Sequence, residues 1–434
     1  MNESKEAYMF PTSKKEVDAL GWDYIDVILF TGDAFVDHPS FGTACIARWL
    51  QKWGWRVAVV PQPNWRDDLR DFKKLGTPRL YFGVNAGAMD SMVNHYTASK
   101  RLRHDDAYTP DAKFGQRPDR AVTVYTKILK ELYPDVPVII GGVEASLRRL
   151  THYDYWDDCL MPSILVSSGA DYLCYGMGEK PMLEFTKGIE AGRSLHDMHK
   201  IPQLGFYMSG KPKIREGMLE LHSFEECKRD KRAFAENFHH IETQANMMHP
   251  DTIVECCGDG YVQINPPYPP SSQEDMDSFW DLPFTKLPHP RYKGKRIPAY
   301  DMIKYSINTH RGCFGGCNFC TIAAHQGKFI QSRSEESIVK EVKGLLSVPG
   351  FAGNISDLGA PTANMYGMKG KNPALCDVCR RKSCLFPAPC PNMNRSHERV
   401  LKMYHKVMSV KGIRHAYIGS GIRYDLFLNE EGFV

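Results

Sequence analysis

Five short apolar runs with few polar interruptions recur through the first half of this chain: DVILF from Asp26, VAVV from Val57, RLYFGV from Arg79, VPVIIGG from Val136 and ADYLCYG from Ala170. A strand with one solvated face alternates apolar and polar residues. A strand that is apolar throughout is covered on both faces, as in a parallel sheet flanked by helices. Helical periodicity separates the runs: Ile46, Trp49, Leu50 and Trp53 fall at i, i+3, i+4 and i+7. The expected class is therefore α/β with a parallel sheet. Ligands of such sheets sit at the carboxyl ends of the strands, here the Gly-rich exits TGD at Thr31, GGVEAS at Gly141 and GMGE at Gly176.

At 434 residues the chain exceeds what one core accommodates, so two or three domains are expected. Residues 99–120 are polar and aperiodic and read as a surface loop. Residues 196–300, with TIVECC from Thr252 and the Pro-rich NPPYPPSSQ from Asn265, read as a connecting subdomain. A new strand–helix alternation begins at Lys304. KYSINTHRG is a strand and its exit, and Ser334 to Ser347 a helix with Ile338, Val342, Leu345 and Leu346 on one face. Ser332 and Glu335 form a candidate capping box before that helix. NISDLGAP, a helix from Ser396 to Lys411 stopped by Gly412, and IRHAYIGSGI follow. Three such units leave an exposed edge strand, and the expectation is a chain cut before its last domain closes.

A formal net charge of +4 is too small to argue for nucleic acid or an anionic membrane. With no apolar leader and no run of about 18 apolar residues, the expectation is a soluble, cytoplasmic protein without membrane contact. In that setting the 13 cysteines are not expected to form disulfides, and where they cluster they read as metal ligands or catalytic groups. Seven of them lie between Cys313 and Cys390, in two groups.

The first group is INTHRGCFGGCNFCTIAAHQGKF, from Ile307. Three residues separate Cys313 from Cys317 and two separate Cys317 from Cys320. Thiolates are the ligands of iron–sulfur clusters, and a Gly-rich loop bearing three of them can wrap three corners of a cube. The loop supplies no fourth ligand, and an open metal position marks a catalytic site rather than a closed one. Zinc ribbons need two CxxC pairs, and ferredoxin loops a fourth cysteine nearby; this segment has neither.

This CxxxCxxC spacing after a strand, with Phe319 just before the third cysteine, resembles the radical S-adenosylmethionine (SAM) superfamily. Taken with IGGVEASLRRLTHYDYW, NTHRGCFGGCNFCTIAAHQGKFIQSRS and DLGAPTANMYG, the chain looks like the YgiQ-type radical SAM family over nearly its whole length. The resemblance implies a [4Fe-4S] cluster on Cys313, Cys317 and Cys320, and SAM on its open iron. It also implies reductive cleavage of SAM to a 5′-deoxyadenosyl radical, and a flavodoxin- or ferredoxin-like electron donor. The implied architecture is a Rossmann-like, cobalamin-binding-like domain over residues 1–195, a connector over 196–300, and the first half of a radical SAM (β/α) barrel over 301–434 with a Cys-rich insertion at 371–392. Members of the family run on past this length.

The family places a Gly-Gly-Glu-like turn near the SAM amino group. Here Gly359, Ala360 and Pro361 stand in that place without the acidic residue, so backbone carbonyls are expected to serve, with Thr362 and Asn364 as side-chain acceptors. Ser420 and Arg423, in GSGIRYDL, are the candidates for the SAM carboxylate or ribose, and Phe319 for cofactor contact. Arg423 reads equally well as a surface ion pair. His310, Arg311, Lys328 and Arg333 are basic residues that could meet an anionic group, or be solvated. Cobalamin is not expected: in DHPSFG, His38 has Val36 two residues before it and Phe41 three after, so the DxHxxG spacing is not met.

The second group is Cys376, Cys379, Cys384 and Cys390 in CDVCRRKSCLFPAPC, at intervals of two, four and five residues. Zinc, an auxiliary iron–sulfur cluster and four unligated thiols are all compatible with it. The competing reading for the whole chain is a non-enzymatic iron–sulfur or zinc protein that binds RNA or passes electrons. No basic stripe with interleaved aromatics supports it. A macromolecular substrate, tRNA or ribosomal protein, remains compatible with the radical reading.

Overall fold

The computed structural model describes residues 9–427. They divide into two compact units. One comprises the chain up to His239 with Asp251–Pro267 and Leu287–Tyr300. The other comprises His240–Pro250, Tyr268–Lys286 and the chain from Asp301 onward.

The first unit is built on a nine-stranded sheet. Its strands are β1 (Val27–Thr31), β2 (Val57–Pro61), β3 (Tyr81–Asn85), β4 (Val138–Gly141), β5 (Tyr172–Cys174), β6 (Leu204–Met208), β7 (Met218–Glu220), β8 (Thr252–Cys257) and β9 (Gly260–Ile264), in the order β7-β8-β9-β6-β5-β4-β3-β1-β2. The first five strands, ordered 2-1-3-4-5, pair in parallel. Every residue of β1 and β2 is buried, which is why these strands carry no polar alternation. Helix α1 (Gly42–Lys52) packs against β1, β2 and α3 (Glu179–Glu190), and α2 (Ala121–Leu132) against β3 and β4. Trp49 and Leu50 of α1 are buried as expected. Trp53 is 46% exposed at the helix end, its ring 4.0 Å from Lys187 Nζ.

Two expectations are corrected here. Residues 196–300 do not form a separate connector. They add four strands to the same sheet, with β6 antiparallel to β5 and to β9, and β9 antiparallel to β8. Strands β8 and β9 form a hairpin whose two-residue loop is Gly258–Asp259, with Gly258 at φ +67°. Along β9 burial alternates, with Val262 and Ile264 in and Tyr261 and Gln263 partly out. The segments 240–250 and 268–286 belong instead to the second unit. Nor is 99–120 only a surface loop, since Arg117 and Asp106 within it are fully buried.

The second unit holds β10 (Ser306–Asn308), β11 (Asn354–Ile355), β12 (Asp357–Gly359) and β13 (His415–Ala416). β10 pairs in parallel with β12, and β11 in parallel with β13. Helices α4 (Glu335–Leu345) and α5 (Glu398–Met408) complete strand–helix–strand–helix–strand. The core joins Ile307, Ile355 and Leu358 of the strands to Ile338, Val342 and Leu345 of α4 and Val400, Met403 and Val407 of α5. The cap of α4 is two residues later than expected. Ser334 accepts from the Ser337 N–H at 3.0 Å, while the Ser332 hydroxyl accepts from the Gly367 N–H at 2.9 Å. Leu346, past the helix end, is exposed.

Among the described residues no helix is long and apolar enough to cross a membrane.

Candidate cluster site

The Cys313–Cys320 loop leaves the carboxyl end of β10. Thr309 ties that end to the exit of β12, donating its N–H to the Gly359 carbonyl at 2.8 Å and placing its hydroxyl 3.3 Å from the same oxygen. The chain then reverses at Gly312, at φ +87°, where a Cβ would overlap the Phe329 carbonyl oxygen. The Gly312 N–H donates to Gln326 Oε1 at 3.1 Å and the Cys313 N–H to the Gly327 carbonyl at 3.1 Å. Phe314 anchors the loop from below in an apolar cluster with Met365, Met368, Leu385, Met393 and Leu426. With Phe314 turned in, the three thiols are half-buried and none is in a disulfide.

Two of the three thiols have polar neighbours drawn from the expected set. Cys313 Sγ lies 3.7 Å from Thr362 Oγ1, just after the β12 exit. Cys317 Sγ lies 3.3 Å from Arg423 Nη1. Arg423 is also an ion pair, with Nε and Nη2 on the two oxygens of Asp425 at 3.0 and 2.7 Å. The ion-pair reading of this arginine holds, and its remaining nitrogen faces the Cys317 thiol. The Asp425 hydrogen bond, the largest influence, raises the proton affinity of Arg423, and the guanidinium lowers that of Asp425. Asn364 fixes the Arg423 backbone, its Oδ1 accepting from the N–H at 2.9 Å and its Nδ2 donating to the carbonyl at 3.0 Å.

Gly359 and Ser420 are brought together at the exit of β12. The Ser420 hydroxyl stands where a side chain on Gly359 would begin, and Ala360 is buried beside the turn that Pro361 continues. The sequence reading passed over Asp357. Its Oδ1 accepts from the N–H groups of Gly419 and Ser420 at 2.8 and 3.1 Å and from the Ser420 hydroxyl at 3.1 Å. The strand pattern puts it on the face of Gly359, two residues away, and that was the available signal. Phe319 is 91% exposed.

The basic residues near the loop are not solvated. Arg333 is fully buried on Glu341 and Ser337, and Arg311 stacks on Trp280 at 4.2 Å. His310 is buried and held neutral, its pKa pushed down to about 3 by burial. Lys328, 3% exposed, points toward the second cysteine group. Its Nζ is 2.6 Å from the Arg381 carbonyl and 3.8 Å from Cys379 Sγ.

As the side chains lie, no three His, Cys, Asp or Glu groups of the described residues meet at metal-holding spacing. The donor set itself suits an iron–sulfur cluster: three free thiols on one loop, with glycines where side chains would collide and a cation beside the middle sulfur.

In the first unit the strand order reverses between β1 and β3, where sheets of this order take ligands. That crevice holds the chain's own Arg117. The guanidinium donates to the Ala86 carbonyl at 2.8 Å and pairs with Asp33 at 2.8 Å and Asp106 at 3.0 Å. Burial pushes the Asp33 carboxyl up to about 6, against the opposing pull of Arg117. At the next exit the buried Glu144 accepts from the N–H groups of Ser91 and Val122 at 2.8 and 2.9 Å. The loop of Asp37 and His38 is buried as well, with Asp37 paired to Arg48 and His38 Nδ1 accepting from the Ser40 N–H.

Residues 9–306 match the family described as Radical SAM N-terminal. A UPF0313 protein of Bacteroides thetaiotaomicron is 55% identical over 99% of this chain and 71% of its own length. One from Porphyromonas gingivalis is 56% identical over 96% of this chain and 66% of its own. YgiQ of Escherichia coli is 43% identical over 99% of this chain and 65% of its own. The chain thus spans about two thirds of the length of these relatives. Among solved structures, the radical S-adenosylmethionine methyltransferase TsrM from Kitasatospora setae, solved with tryptophan and a SAM analog and also with cobalamin and a [4Fe-4S] cluster, is similar at 17% identity. The TM-score is 0.40, over 74% of this chain and 45% of TsrM. On the extent and identity of the sequence matches, the chain belongs to the YgiQ-type UPF0313 family of radical SAM proteins.

Proposed function

We propose that this chain is a radical SAM enzyme that carries a [4Fe-4S] cluster on Cys313, Cys317 and Cys320 and cleaves S-adenosylmethionine reductively. The observation that carries the reading is the set of three free thiols on one anchored loop beside the β12 exit, in a chain of this family. When bound, such a cluster supplies an open iron for the amino and carboxylate groups of SAM and the electron that splits its sulfonium into methionine and a 5′-deoxyadenosyl radical.

The chain's own residues hold and shield that chemistry. Phe314 and Gly312 fix the loop, and Thr309 locks the two strand exits together. The carbonyls at Gly359 to Pro361 are the acceptors for the SAM ammonium, and the Ser420 hydroxyl a partner for its carboxylate or ribose. Arg423 offsets thiolate charge at Cys317 and is the cation within reach of the SAM carboxylate. Phe319 is free to lie against the cofactor. A one-electron donor of the flavodoxin or ferredoxin class reduces the cluster.

The test is 5′-deoxyadenosine formation by anaerobically reconstituted, dithionite-reduced protein, followed by chromatography. The parent chain should form it with SAM, and Cys313→Ala should form none. Undiminished product from Cys313→Ala would overturn the reading.

A further inference from the structure

We propose that Cys376, Cys379, Cys384 and Cys390 form a second, closed metal site, four thiolates around one zinc ion or one iron–sulfur cubane, which braces the Cys313–Cys320 loop.

The site is built on three observations independent of the cysteine spacing. The first is a buried cation without an anion. Lys328 is 3% exposed, and its hydrogen-bond partners are the carbonyls of Arg381 and Asn246, at 2.6 and 3.4 Å, and Cys379 Sγ at 3.8 Å. Among the described residues it pairs with no carboxylate. A lysine is rarely buried without a counter-charge. Four thiolates on a divalent ion, or on a cubane of two positive charges, leave a net charge of about −2. The negative charge that Lys328 lacks would then sit beside its Nζ.

The second observation is how the segment around the thiols is held. The Cys379 N–H donates to the Cys376 carbonyl at 3.2 Å and the Cys390 N–H to the Cys384 carbonyl at 2.7 Å, so the four come as two tied pairs. Asn392 Nδ2 lies 3.3 Å from Cys376 Sγ, the outer contact that a ligating thiolate receives. Gly370 leaves no space for a side chain beside that sulfur. Cys384 and Cys390 pack on the apolar cluster under Phe314, which shuts one side to water. As the side chains lie, the sulfurs stand wider than ligation requires. Binding would select among the staggered χ1 positions open to each cysteine.

The third observation is where the segment docks. The Ser383 hydroxyl donates to the Gly315 carbonyl at 2.8 Å, and the Cys384 N–H donates to the Phe314 carbonyl at 3.1 Å. A Cβ on Gly316 would stand 2.7 Å from Ser383 Cβ. The stretch between the second and third thiols therefore lies directly on the backbone of the first cysteine loop. A metal that fixes Cys379 and Cys384 fixes Ser383 between them, and with it the carbonyls of Phe314 and Gly315. Four protein ligands close the coordination sphere, so this metal is structural.

The experiment removes the first loop's ligands and asks what metal remains. The full chain with Cys313, Cys317 and Cys320 all changed to Ala is purified and its zinc, iron and sulfide are measured. About one zinc, or about four iron with matching sulfide, should remain per chain. The two results distinguish zinc from a cubane, and both support the site. Adding Cys376→Ser and Cys379→Ser should remove that metal. In the unsubstituted chain, which depends on no variant folding, iodoacetamide should spare Cys376, Cys379, Cys384 and Cys390 by mass mapping until a chelator is added. Absence of stoichiometric metal from the triple variant, together with ready alkylation of these four thiols in the unsubstituted chain, would overturn the proposal. It would do so whether or not the first loop holds a cluster.

Discussion

Arg423 Nη1 lies 3.3 Å from Cys317 Sγ while the rest of the same guanidinium grips Asp425. One residue from the last described loop thereby reaches the middle thiol of the cysteine loop. Arg423→Ala should leave cluster content unchanged and weaken SAM binding about 10-fold, about 1.4 kcal/mol. Arg423→Lys should recover only part of this, because an ammonium cannot hold both Asp425 oxygens and the sulfur in one plane. Iron content and a SAM titration followed by EPR measure the two quantities separately.

The reversal at Gly312 should tolerate no side chain. Its φ of +87° and the Phe329 carbonyl leave no space for a Cβ. Gly312→Ala should lower cluster occupancy several-fold, because the Cys313 N–H can no longer sit against Gly327. The melting of the α4–α5 core should change far less. Iron and sulfide analysis beside a thermal scan tests this.

Arg117 is enclosed by Asp33, Asp106 and the Ala86 carbonyl. Removing it leaves two buried carboxylates without their cation. Arg117→Met should destabilise the first unit by about 3–5 kcal/mol, read from the midpoint of urea unfolding. Loss of less than about 1 kcal/mol would mean that the crevice is not packed as described.

Glu255 in β8 is fully buried. It accepts from the Thr151 N–H at 2.9 Å, and its other oxygen has no hydrogen-bond partner among the described residues. Burial raises its pKa from 4.5 to about 7, against the Thr151 hydrogen bond. An acid whose folded pKa is raised stabilises the fold most below its unfolded pKa. That contribution is lost as pH rises from 4.5 toward about 7. Glu255→Gln, which cannot ionise, should therefore gain on the parent across this window, by up to about 3 kcal/mol. Urea unfolding at both ends of the window measures the gain.

The parallel half of the sheet was legible because burial on both faces writes itself into β1 and β2 as unbroken apolar runs. The antiparallel half was not. In β8 and β9 the alternation is short, and the Gly258–Asp259 turn joining them passed as part of a connector. Arg117 gave no sign either, since a polar loop that folds inward has the composition of one that stays in water. At the site, the three thiols of the first loop could be read from their spacing. The Cys317 partner of Arg423 and the Arg381 partner of Lys328 could not, because they sit 106 and 53 positions away in the sequence. Only packing brings the distant ones together.

The most direct measurement on the central claim is EPR of the anaerobically reconstituted, dithionite-reduced chain with and without S-adenosylmethionine. Three thiols on the Cys313–Cys320 loop leave one iron open, so the parent chain should show a reduced [4Fe-4S] signal that shifts when SAM is added, and the Cys313, Cys317, Cys320 triple variant should show no signal that responds to SAM. Absence of any SAM-responsive signal from the parent chain, or a SAM-responsive signal that survives in the triple variant, would contradict the account.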